Sequence, residues 1–114
     1  MFKDLQAEVW FQNAPDIGPQ APITIGSQLI GHTGSPSVVN GRLRLPIVLT
    51  SSDAVPDATI FVVTHDPRGS RLVARPRGSP LHLSSTEPYQ FRGASNEFEY
   101  VWMRAKDTFG DLIR

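Results

Sequence analysis

The residues best suited to chemistry are few and scattered. Three histidines, His32, His65 and His82, carry the side chain that titrates near neutral pH. No two of them stand two or four residues apart, and the chain has no cysteine. A zinc site would need ligands drawn from distant loops, for example His65 and Asp66 with His32; the plainer reading is three loop or strand-end histidines. Ser35, Ser37, Ser51, Ser52, Ser84 and Ser85 are plentiful, but none sits in a Gly-x-Ser-x-Gly elbow. Ser51, His65 and Asp53 make a triad only on paper. Glu97 and Glu99 share a face if extended; the acid and base of a glycosidase can be so placed, but such a pair is more often the wet side of an edge strand. Gly26, Gly31 and Gly34 lack the strand-to-helix setting of a phosphate loop. The expectation is a protein without enzymatic activity, cofactor or metal.

Two features read instead as binding surfaces. Arg68, Arg71, Arg75 and Arg77 crowd a stretch with no acid between residues 67 and 86. If residues 71–75 are extended, Arg71 and Arg75 share a face with Val73. Such a stripe suits an acidic protein surface or a polyanion. The second feature is aromatic. Phe98, Tyr100 and Trp102 alternate with Glu97 and Glu99, which places them in a core; exposed, they would stack sugars or bases. Trp10 falls opposite Val9 and Phe11 and is the better exposed anchor.

These side chains must be positioned by strands. Residues 5–12 alternate, with Leu5, Ala7, Val9 and Phe11 on one side. Residues 13–22 hold three prolines and a glycine and form a stiff connection. A short strand begins at Ile23 and runs past Gly26 to Ile30. Asn40-Gly41 between apolar flanks marks a hairpin, because both central residues of a type I′ turn need positive φ. The following strand, Arg42 to Thr50, alternates through Leu43, Leu45, Ile47 and Leu49. Pro46 removes a donor there and predicts an edge or a bulge. Residues 58–64 are apolar on both faces, as in a strand covered on each side. Asp66-Pro67-Arg68-Gly69 is a tight turn, and residues 71–75 return from it. Short segments follow at 81–83 and 89–91, then a strand from Phe98 to Arg104. Residues 107–114 form a C-terminal tail with Phe109, Leu112 and Ile113 as anchors.

Seven to eight short strands with turn signals between them imply an all-β domain: a sandwich, jelly-roll or immunoglobulin-like, or a small barrel. The expectation is a single antiparallel β-sandwich over residues 1–114. The 114 residues suffice for one core. A formal net charge of zero gives no general attraction to nucleic acid or anionic membrane. Nine of the eleven basic residues are arginine, which favours fixed interfacial contacts. Acids within the first eight residues argue against a secretory signal, and no run reaches the ~20 apolar residues of a membrane helix. Synthesis in the cytoplasm is the expectation. The functional expectation is a structural or interaction protein in a larger assembly. Its most concrete form is a virion accessory protein, decorating or cementing a capsid, that forms a homo-oligomer and meets capsid protein. Segments 13–22 and 107–114 would lie across neighbours. The alternative is a carbohydrate-binding module that uses exposed aromatics.

Overall fold

Alternation along the chain resolves into a closed surface. The computed structural model describes residues 5–50, 55–78 and 89–113, the last four by backbone alone. Strands β1 (Leu5–Phe11), β2 (Pro22–Ile25), β3 (Gln28–Thr33), β4 (Ser37–Val39), β5 (Arg42–Leu49), β6 (Ile60–Asp66), β7 (Gly69–Arg75) and β8 (Tyr89–Ala94) precede helix α1 (Glu97–Ile113). Neighbours follow the order β1-β8-β6-β7-β2-β3-β5, and β5 pairs back onto β1 to complete a barrel of seven strands. The closing pair is long, running antiparallel from Leu5 opposite Leu49 to Phe11 opposite Leu43. β4 lies outside the ring on β5.

The architecture is therefore all-β but not an antiparallel sandwich. β1–β8, β6–β8 and β2–β7 are parallel, so the sheet is mixed and barrel-like. Period-two patterning states which face of a strand is buried. It says nothing about the direction of the neighbour or about closure of the sheet.

Val9, Phe11, Ile23, Ile30, Leu45, Ile47, Leu49, Phe61, Val63 and Leu72 fill the interior. β6 is buried on both sides, as its composition requires. Phe61 and Val63 point into this core, while Ile60 and Val62 form a second cluster with Ala94 on the outer wall. Gly93 is required where β8 passes the core, since a Cβ there would enter the Phe11 ring.

The turns follow their chemistry. Asn40 and Gly41 have φ of 53° and 78°, as a type I′ hairpin needs. Asp66 pairs with Gly69, and the Asp66 carboxylate accepts a 2.8 Å hydrogen bond from the Arg68 N–H inside the turn.

Four other expectations change. Residues 23–30 form a hairpin rather than one strand; Gly26, at φ 58°, opens the two-residue turn between β2 and β3. Pro46 is not on a free edge, because β5 has neighbours on both sides. N–H and C=O of one strand residue point the same way, and the Pro46 carbonyl accepts from the Gly34 N–H at 2.7 Å. The missing donor thus faces the break between β3 and β4. The connection at 13–22 is not only a stiff linker but packs on its own barrel. Ile17 and Ala21 are buried, and buried Thr33 donates to the Gly18 carbonyl and accepts from the Ala21 N–H, each at 2.9 Å. Residues 98–104 and 107–113 belong to α1. The segment at 81–83 lies outside the described residues.

The inner core should carry the stability of the barrel. Phe61→Ala is expected to cost about 3–5 kcal/mol, and Gly93→Val about 1–3 kcal/mol or more through overpacking. Urea unfolding followed by circular dichroism checks both; wild-type midpoints would mean that this ring is not the folded core.

Candidate functional site

Helix α1 forms because its N-terminus is well capped. Asn96 accepts a 2.8 Å hydrogen bond from the Glu99 N–H through its side-chain oxygen, while its carbonyl accepts the first helical bond from Tyr100. Glu99 reaches back, accepting 2.8 Å from the Ser95 hydroxyl and 2.9 Å from the Asn13 amide. Glu97 and Glu99 place two acids in the first turn, where the helix dipole favours them. Eight residues of apparent alternation are thereby overridden. Phe98 and Tyr100 sit on opposite sides of a helix, where a strand would put them together.

One side of α1 faces the barrel. Tyr100 and Met103 pack on Ile60, Val62 and Ala94. The rest of that side is ionic. Asp107 receives Arg77 at 2.9 Å and Arg92 at 2.8 Å, and Arg75 pairs with Glu97. Arg75 also stands 5.3 Å over the Tyr100 ring. The hydrogen bond from Arg92 holds the Asp107 carboxyl below its ordinary value, more strongly than burial raises it, and the same bond raises Arg92. The opposite side is apolar and open. Phe98 is 81%, Val101 62%, Trp102 57% and Phe109 64% exposed.

The arginine stripe is thus largely met by the chain's own acids. Arg75 and Arg77 hold α1, and Arg71 approaches Asp66 at 3.9 Å. Arg68 remains exposed in the β6–β7 turn. Glu97 and Glu99 are separated by the helical turn and separately engaged, so they form no acid–base pair. His65 Nδ1 lies 2.8 Å from Ser70 Oγ; that hydroxyl donates to the Asp16 carbonyl, which makes His65 the donor. His32 is exposed on β3. Among the described residues no three His, Asp or Glu gather to hold a metal ion. Ser51, Asp53 and His82 lie outside the described residues, as do the side chains of Leu112 and Ile113.

Trp10 is half-buried rather than free, with the Arg42 guanidinium 4.8 Å above its ring. Trp102 lies under the Lys106 ammonium at 5.4 Å. Both tryptophans line a cleft of about 420 Å³ between α1 and the wall of β1 and β8. Sequence reasoning missed this cleft, together with Asp107 and Arg92. The available signal was Asn96 followed three residues later by Glu99, a helix start.

Neither a family model nor a curated protein sequence matches the chain. Its fold recurs in a solved complex. A chain of the Acinetobacter MlaFEDB complex in its ATP-bound Vtrans1 conformation superposes with a TM-score of 0.64, over 90% of this chain and 82% of that one, at 10% identity. At that identity the likeness is one of fold. No helix among the described residues is long and apolar enough to cross a membrane.

Asp107→Asn should loosen α1 without unfolding the barrel, at a cost of about 1–2 kcal/mol given the partial exposure. Because the folded-state pKa is depressed, the carboxylate's contribution is complete above its unfolded value and is lost as pH falls through the folded value. Amide protection factors in α1, corrected for the intrinsic pH dependence of exchange, should therefore fall in the variant, and in wild type only below the ordinary carboxylate range. Unchanged protection in both cases would remove Asp107 as the latch.

Proposed function

We propose that the chain is a non-enzymatic subunit of a larger assembly, joined to further copies of itself through the open face of α1. The observation that carries this is the spacing on that face. Phe98, Trp102, Ala105 and Phe109 follow steps of four, three and four, the seam of a coiled coil, and Leu112 continues it in the sequence. Tyr100 and Asp107 occupy the positions opposite that seam and are the ones turned to the barrel. A helix with one face docked and a heptad seam on the other is built to be covered twice.

A second copy is the occupant favoured because such a seam is self-complementary. One solved neighbour of this fold is itself a chain within a complex. A capsid-decorating accessory protein is one setting for such a subunit, and the size and class of the chain are what support it. Arg68, exposed in the β6–β7 turn, is the side chain best placed for contacts with other components.

Sedimentation tests the association. Wild type should run as a multiple of 12.6 kDa, and Phe98→Glu with Phe109→Glu should run as a monomer that keeps the wild-type far-ultraviolet circular dichroism. A wild-type monomer at about 100 µM, where even weak specific pairing is populated, would sink this reading. Untagged protein from its source, migrating in a megadalton particle, would support the virion setting; a small oligomer there would remove it.

A further inference from the structure

The cleft under α1 has a composition that the assembly reading, Trp102 apart, does not use. The chain has two tryptophans, from opposite ends of the sequence, and both line this one space. Arg42 and Lys106 stand over their rings, and neither has a carboxylate partner among the described residues. The acids nearby are already engaged: Asp107 by Arg77 and Arg92, Glu99 by Ser95 and Asn13. The Trp10 indole N–H is buried and finds no acceptor among the described residues, which is uncommon for such a donor. Met103 adds a deformable apolar surface to the lining.

We propose that this cleft binds a small organic anion with a flat apolar body, of the aromatic carboxylate class. Flat indole surfaces suit a planar ring, and a neutral sugar would use them as well. The cations decide between the two. Placed over the rings, Arg42 and Lys106 put positive charge where a ring-bound ligand carries its head group, and a carboxylate meets that charge while a hydroxyl does not. The volume fits a ligand of a few rings at most. Trp102 belongs to both the seam and the cleft, whereas Phe98 and Phe109 do not line the cleft, so the two sites can be separated at Phe98 and Phe109.

The two tryptophans make the test direct, because the ¹H–¹⁵N spectrum contains two indole cross-peaks and Trp10→Phe assigns them. Titration with phenylacetate should shift both peaks saturably, and phenylacetamide should bind at least about tenfold more weakly. Arg42→Gln combined with Lys106→Gln should weaken phenylacetate about tenfold while backbone peaks keep their dispersion; Arg68→Gln, remote from the cleft, should leave binding unchanged. No saturable shift up to about 10 mM phenylacetate would overturn the proposal. Equal binding of the amide, or full binding by the double variant, would overturn it too. Shifts with cellobiose and none with phenylacetate would replace it with the carbohydrate reading.

Discussion

Strand β6 has no wet face, and much of the molecule is arranged around that fact. Phe61 and Val63 belong to the barrel interior, so Ile60 and Val62 must emerge on its outer wall. Each aliphatic side chain covered there contributes about 1.5–3 kcal/mol relative to exposure. A barrel wall cannot hide them alone, and α1 is the element that does. The covered patch is nevertheless small, a few side chains of β6 and β8 against Tyr100 and Met103. Burial brings the helix to the wall without setting its rotation. Rotation is set by charge: Arg75, Arg77 and Arg92 stand on that wall, and Glu97 and Asp107 are the helix residues that answer them.

This explains why the helix presents the less apolar of its two sides to its own barrel. An amphipathic surface helix ordinarily turns its apolar stripe inward. Here Phe98, Val101, Trp102 and Phe109 are turned out. Rotating α1 to bury them would strand three arginines on the wall and carry Asp107 into solvent, and it would also break the contacts of Glu99 with Asn13 and Ser95. The ionic face therefore fixes the register, and the apolar face is left for another molecule.

Much of the barrel was legible in the chain. The inward positions of β5, the positive-φ Asn40-Gly41 turn and the double-sided β6 all follow from local chemistry, because each depends on neighbours within a few residues. What was not legible depends on partners far away. Parallel pairing of β8 with β1 and β6, and closure of β5 onto β1, leave no mark on alternation. Residues 97–104 misled for a different reason. Their alternation is genuine over eight residues, but the cap at Asn96 and the continuation through Met103 and Asp107 belong to a helical period. A longer window with the cap included separates the two. Of the arginine stripe, the residues were legible and the partner was not: the acids that engage Arg75 and Arg77 come from α1.

The packing of the interior also limits where function can reside. Phe11, Phe61, Leu45, Ile47, Leu49 and Leu72 close the barrel with side chains, so a ligand inside would have to displace core. The connection before β2 is also committed, held by Thr33 and buried through Ile17. Among the described residues, the outside of α1 and the cleft where it meets β1 and β8 stay chemically open. Both are created by the same event, the docking of one helix by its ionic face. The helix that covers β6 thus supplies the exposed stripe on one side and, with Trp10 and Arg42, the lined cleft on its flank.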